Sequence, residues 1–265
     1  MKFTASFIAL FAAGAFAAPS GHGLAARVAG RNRSSQPKLP AVNEPATNDT
    51  NADYSTNWSG AVLTSPPSGT TFTSVSAEFT VPTPKAVDGK SGSSSAWVGI
   101  DGDTYTKAIL QTGVDFSVDE LGLTSFDAWY EWYPDYAYDF SGISISAGDS
   151  ISVSVVASSS SAGTATIENL STGEKVHKAL TAPESSATLG GQNAEWIVED
   201  FEEGDSLVSL DNFGTVTFTK TSAGLSSGES VGNDGADILD IKQNGKVLTS
   251  ASTPSSSEVV VEYSG

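Results

Sequence analysis

Apolar and polar residues alternate one for one through long stretches of this chain. Val75, Ala77, Phe79 and Val81 interleave with Ser74, Ser76, Glu78 and Thr80, and Ile151, Val153 and Val155 with Ser150, Ser152 and Ser154. Ile143 and Ile145 follow the same rule, and Val259-Val260-Val261-Glu262-Tyr263 reads as a C-terminal strand. A period of two marks a strand with one face buried and one face wet. No window of helical length shows a 3.6-residue period. Asn244-Gly245 sits between short apolar runs and signals a tight hairpin, because both residues tolerate the positive φ of a type I′ turn. Many short alternating strands with Ser- and Gly-rich turns predict an all-β sandwich of two large antiparallel sheets.

Residues 1–18 have a different character. Lys2 precedes the apolar run Phe7-Ile8-Ala9-Leu10-Phe11-Ala12-Ala13, and small residues surround Ala15–Ala18. The run is too short to span a bilayer and reads as a signal peptide, which implies a secreted, extracellular product. Residues 19–52 carry Arg27, Arg31, Arg33 and Lys38 with only Glu44 and Asp49 as acids, lack aromatics, and hold Pro37, Pro40 and Pro45. Such a segment cannot bury a core alone. Five of the 13 basic residues and two of the 31 acidic residues fall within 1–52, which leaves 53–265 at a net charge of −21. A basic leader ahead of an acidic body reads as a propeptide lying across an acidic groove, with a plain linker as the alternative.

The whole chain carries a formal charge of −18, which repels nucleic acid and anionic membranes as partners. It has no cysteine, so a disulfide framework and a Cys-based metal site are excluded. His22 and His177 are its only histidines. A Ser-His or Cys-His enzyme would rest on His177, which lies in a polar turn or strand edge rather than beside a nucleophile. No cofactor or metal is implied.

Four segments break the ordinary sandwich pattern. Residues two apart share a strand face, so Trp97, Gly99 and Asp101 lie together, as do Ile109, Gln111, Gly113 and Asp115. Asp127, Trp129, Glu131 and Tyr133 form a third set, and Glu195, Ile197, Glu199 and Phe201 a fourth. A plain solvent face would show Ser, Thr and Lys. This one suggests an aromatic-walled acidic groove, or a polar sheet face covered by tryptophans.

The strings Asn57-Trp58-Ser59-Gly60-Ala61, Ala96-Trp97-Val98-Gly99-Ile100-Asp101-Gly102-Asp103, Ile109-Leu110-Gln111-Thr112-Gly113, Trp129-Tyr130-Glu131-Trp132-Tyr133-Pro134 and Asn193 to Glu202 resemble the glutamic peptidases (eqolisins) of filamentous fungi. The resemblance implies curved sheets of jelly-roll or concanavalin-like type, with the substrate groove on a concave face. It implies a pepstatin-insensitive acid endopeptidase acting on polypeptides as a monomer, with Gln111 and Glu199 as catalytic pair. It also implies that Trp97, Asp101, Asp115, Asp127 and Glu131 shape the site, which Trp129 joins by its position on the groove face. Glu195, the first Glu of the Glu-Trp-Ile-Val-Glu string, is the competing candidate. Relatives often carry disulfides where this chain has Tyr105 and Gly190-Gly191.

The residue types suit the chemistry. A carboxylate takes a proton from water and returns it to the leaving amine, and a glutamine amide donates to the oxyanion without titrating. Two alternatives stand beside this. A carbohydrate-binding or glycoside-hydrolysing sandwich would share the tryptophans and acids, although Glu195-Trp-Ile-Val-Glu199-Asp200 does not match the usual acid spacing of such enzymes. A non-catalytic peptide-binding relative is the other. The leader is expected to inhibit its own enzyme and to release below about pH 4, where free carboxylates protonate, leaving a protein that begins near Asp53. Asn32, Asn48, Asn57 and Asn169 stand in glycosylation sequons.

Overall fold

The computed structural model describes residues 33–41 and 52–265. The expected signal peptide and most of the leader lie outside the described residues. In chain order the strands begin with β1 (Arg33–Ser34), β2 (Ala52–Ser55), β3 (Trp58–Leu63), β4 (Phe72–Thr80), β5 (Gly92–Ile100), β6 (Ile109–Val118) and β7 (Thr124–Tyr133). Next come β8 (Tyr138–Asp139), β9 (Ser150–Ser159), β10 (Ala162–Asn169), β11 (Glu174–Thr181), β12 (Ala194–Glu199), β13 (Glu202–Glu203) and β14 (Ser206–Leu207). The last are β15 (Thr215–Leu225), β16 (Ser230–Val231), β17 (Asp237–Gln243), β18 (Lys246–Val247), β19 (Thr249–Ser255) and β20 (Glu258–Tyr263). The described residues contain no helix.

Two sheets make the sandwich. One runs β18-β17-β3-β12-β5-β6-β7-β8, with β2 added beside β17. The other runs β11-β10-β9-β4-β15-β20-β19, with β16 beside β15. The expectation of purely antiparallel sheets needs one correction, because β2 pairs with β17 in parallel. Ile143 and Ile145 also depart from expectation. They lie outside any strand, half-buried against the core in an extended connection. The Asn244-Gly245 turn is as read: φ is +52° and +78° there, and the hairpin joins β17 to β18.

The inward faces carry the alternating residues. Val98, Leu110, Val114, Phe116, Trp132 and Trp196 of one sheet meet Phe79, Ile151, Val153, Phe218 and Val261 of the other. Each such side chain removed from water contributes about 1.5–3 kcal/mol. The two inward-facing indoles keep their polar ends satisfied. Trp196 donates to Ser76 O at 3.0 Å and Trp132 to Ala187 O at 2.9 Å. Packing of Trp132 and Trp196 inward turns their strand neighbours Glu131, Ile197 and Glu195 to the opposite face of the sheet.

Candidate active site

The register places β12, β5, β6 and β7 side by side and sorts the outer face into three rows. Glu195, Gly99, Gln111 and Glu131 face one another across the four strands. Ile197, Trp97, Gly113 and Trp129 form the middle row. Glu199, Ser95, Asp115 and Asp127 form the third. Two glycines make the middle row possible. A Cβ at Gly99 would stand 2.8 Å from the Trp97 ring, and one at Gly113 would stand 2.3 Å from Ala96 O. The indole therefore lies down over Gly99, and its rim meets Trp58 edge-on at 5.0 Å.

Trp97 Nε1 donates to Glu199 Oε2 at 2.9 Å. Burial lifts the Glu199 carboxyl to about 7, opposed by Arg33 and by hydrogen bonds from Ser35, Gln36 and Trp97. Gln111 is fully buried, and neither its amide nitrogen nor its oxygen has a hydrogen-bond partner. Leaving a buried amide unpaired costs ~1–3 kcal/mol, so its place here calls for a function. Glu195 is likewise buried with both oxygens unpartnered, and burial followed by Asp101 and Asp103 holds it well above the usual carboxylate range.

Leader residues 33–41 lie over these rows. The Arg33 guanidinium grips Asp115 with two bonds, Nε to Oδ2 at 2.6 Å and Nη2 to Oδ1 at 2.9 Å. Nη1 reaches Glu131 Oε2 at 3.3 Å. The cation sits 3.9 Å from the Trp129 ring centroid and 4.5 Å from that of Phe201. Trp129 Nε1 is itself held by Ser95 Oγ at 3.0 Å. For Arg33, burial opposes the charge, but Asp115 and its other anionic neighbours outweigh it and hold the group above its ordinary value. Glu131 goes the other way: burial outweighs Arg33 and raises its carboxyl. The short fork to Asp115 carries the charge pair. Asp127 stands beside it, lifted to about 7 by burial and then by Asp115 and Asp139.

β1 adds to β13 and β14 in a small three-stranded sheet, with Arg33 opposite Glu203 and Ser34 opposite Glu202. Farther along, Lys38 forms an ion pair with Asp103. Asn57 Oδ1 accepts from Leu39 N at 2.9 Å, while its amide donates to Gln36 O and Pro37 O.

Seven of the eight expected site residues share the outer face. Asp101 does not join them. Its carboxylate accepts four backbone N–H groups, from Gly190, Gly191, Gln192 and Asn193, at 2.7–3.2 Å. It clamps the loop leading into β12, so both its oxygens are already engaged by backbone. Tyr105 packs over Gly190, where a Cβ would meet its ring at 2.7 Å. Ser95 was reachable by the same period-two count that gave Trp97, while Phe201, already counted on that face, joins the site through Arg33. Asn57 stands in a recognised string, but its hold on the leader leaves no sequence signal. The amides of Asn57 and Asn169 are buried and hydrogen-bonded, which removes two of the four sequons from consideration; Asn32 and Asn48 lie outside the described residues.

The Peptidase A4 family model matches residues 56–263. The chain belongs to the Peptidase A4 family. Among A4 relatives, aspergillopepsin-2 of Aspergillus niger is 48% identical over 99% of this chain and 100% of its own length. Scytalidopepsin B of Scytalidium lignicola is 45% identical over 95% of this chain and 96% of its own. The solved structure of scytalido-glutamic peptidase with a transition state analog inhibitor superposes with a TM-score of 0.70 at 44% identity, covering 79% of this chain and 98% of that one. The A4 chain described here is therefore a glutamic peptidase, a hydrolase, on an all-β sandwich. That assignment sets aside the carbohydrate-directed reading of the groove.

Proposed function

We propose that this A4 peptidase is a secreted acid endopeptidase in which Glu199 carries the proton and Gln111 stabilises the oxyanion. The observation that carries the reading is the unpaired amide of Gln111, buried on the same face as the lifted carboxyl of Glu199. With the leader gone and the groove open to water, the burial that lifts Glu199 is relieved, and the ionised carboxylate takes a proton from the attacking water and delivers it to the leaving amine. The Gln111 NH2 donates to the oxygen of the tetrahedral intermediate. Trp97 fixes Glu199, while Asp115, Asp127, Trp129 and Glu131 line the groove for an extended polypeptide. The test is turnover of a denatured protein at acid pH by the wild type, Glu199→Gln and Gln111→Ala. Near-normal turnover by Glu199→Gln would sink the mechanism.

Residues 33–41 act in this reading as an intramolecular inhibitor. Gln36 N sits on Glu199, and with the leader in place Trp97, Gln111 and Glu199 are all fully buried. The anions facing Arg33 are Asp115 on β6, Glu131 on β7, Glu199 on β12 and Asp139 on β8. Because burial raises Glu131, Glu199 and Asp139, all three protonate at a milder pH than free carboxylates, and Arg33 loses three of its four anions there. Release accordingly begins above the expected pH of about 4, the free-carboxylate range. Export of the chain with removal of residues 1–18 completes the proposal. Its readout is the N-terminus of the protein recovered from the culture medium.

A further inference from the structure

The leader crosses the groove in one fixed direction, so its backbone can be read against Glu199. Gln36 N donates to Glu199 Oε1 at 3.0 Å, and Ser35 N donates to Glu131 Oε2 at 3.1 Å. Upstream, the Arg33 fork and the Ala137 N–H, which donates to Arg33 O at 3.0 Å, pin the chain. Downstream, Lys38 N donates to Gly102 O at 3.0 Å, Lys38 pairs with Asp103, and Asn57 holds the main chain from Gln36 to Leu39. With both flanks anchored, one peptide nitrogen rests on the carboxylate assigned to proton transfer.

We propose that the Ser35–Gln36 peptide bond is the first bond this enzyme cuts in its own leader. The inference rests on the reading of Glu199 as proton carrier and names that carboxylate's first substrate. In those molecules whose Glu199 is ionised, water adds to the Ser35 carbonyl carbon and gives one proton to Glu199. The carbon–nitrogen bond then breaks as Glu199 passes that proton to Gln36 N. The products are a Ser35 carboxyl group and a Gln36 amine, with no other reactant.

The seated pose also explains why the bond survives at rest. Ser35 O accepts from Ser34 Oγ at 3.2 Å, while the Gln111 amide has no partner. Turning that carbonyl from the Ser34 hydroxyl to Gln111 Nε2 converts an inhibitor pose into a substrate pose. The cut has a mechanical result. Before it, the Arg33 and Lys38 anchors hold one chain, and each keeps the other at high local concentration. After it, the upstream piece is held only by its own contacts, the Asp115–Glu131 seat, Ala137 and the β13 edge, and is free to leave, while the residues from Gln36 onward stay joined to the body and keep Gly102, Asp103 and Asn57.

The experiment uses the full chain with its leader, purified at neutral pH and stepped to about pH 4, the range of free carboxylates. Intact masses and peptide maps are followed with time, because an N-terminal glutamine cyclises and blocks stepwise sequencing. The earliest new product should begin at Gln36, at a rate independent of protein concentration. Ser34→Ala should give the same terminus several-fold faster. An earliest product with another terminus, from an enzyme that digests added denatured protein, overturns this register and leaves the role of Glu199 standing. An uncut leader in such an enzyme does the same. A rate proportional to protein concentration overturns the seated pose as precursor. Failure both to cut the leader and to digest added protein overturns the reading of Glu199 itself.

Discussion

The indole of Trp97 donates its only polar hydrogen to Glu199 Oε2 at 2.9 Å, while Glu199 Oε1 faces the leader backbone. The bond favours the ionised carboxylate, so removing it raises the Glu199 pKa further. Trp97→Phe keeps an aromatic ring over Gly99 and deletes the donor. The acid limb of kcat/KM, which requires ionised Glu199, should move to higher pH, and activity at the most acid values should fall about tenfold, one charge-assisted hydrogen bond. A pH–rate profile of the variant checks both, and an unmoved acid limb would separate Trp97 from the proton carrier.

Glu199→Gln and Gln111→Ala should each remove activity with little change in fold. The expected loss for an oxyanion donor is about 10²–10³ in kcat, and for the proton carrier about 10²–10⁴. Glu195→Gln should keep partial activity, because Glu195 sits in the Gln111 row across Gly99 and touches neither leader nor Trp97 Nε1 by hydrogen bond. Steady-state kinetics with circular dichroism on the three variants distinguishes the two glutamates.

A peptide spanning residues 33–41, added to leader-free enzyme, should inhibit, and the Arg33→Ala peptide should be far weaker. Truncating one partner of a buried charge pair costs about 2–5 kcal/mol, roughly 30-fold to several thousand-fold in the inhibition constant. Arg33→Lys should not restore it, because a lysine cannot form the two-bond fork to Asp115 or lie flat between Trp129 and Phe201. Competition assays at about pH 5, above the range of free carboxylates, give the comparison.

Stability should fall as the solution becomes neutral. Burial lifts Asp200 to about 8 and Asp211 to about 7, and Asp127 reaches about 7. Each holds its proton more tightly folded than unfolded, where the value is about 4. Their stabilising contribution is therefore complete below about pH 4 and is lost as pH rises through the folded values. One pKa unit corresponds to about 1.4 kcal/mol, a sizeable part of a domain stability of ~5–15 kcal/mol. Thermal melts of Glu199→Gln, which prevents self-digestion, should give a lower Tm at neutral than at acid pH. Adding Asp200→Asn should narrow that gap, since an amide still accepts from Gln243 Nε2, 2.7 Å from Asp200 Oδ2.

The fold was legible because its core strands obey the period of two strictly. Val75 to Val81 and Ile151 to Val155 show it. Ile143 and Ile145 show where it misleads, because a short extended connection packed on the core has the same spacing without ladder partners. The groove face was legible from the same count, since Trp97, Gln111, Glu131 and Glu199 stand where plain surface residues belong. Asp101 shares that spacing with Trp97, but φ is +69° there, and the left-handed turn swings its carboxylate onto the loop at 190–193. Strand periodicity holds only while the strand lasts, and β5 ends at Ile100. The seat of Arg33 depends on contacts between residues roughly 80 to 100 positions apart, which local patterns do not encode.

Gly99 and Gly113 fix where variety in cleavage preference can arise. Both lie under or beside the Trp97 indole, and even one added carbon at either position collides with ring or backbone. A larger residue there would push the indole up into the path of the substrate and pull its nitrogen from Glu199. Retargeting this scaffold by changing its floor therefore costs the chemistry along with the old preference. The rim has less of that coupling: the short hairpin at 202–207 and, apart from Ala137, which packs on the tryptophan cluster, the stretch after Tyr133 border the groove. Libraries aimed at new sequence preference should be confined to those two borders, with the glycine-floored rows left intact.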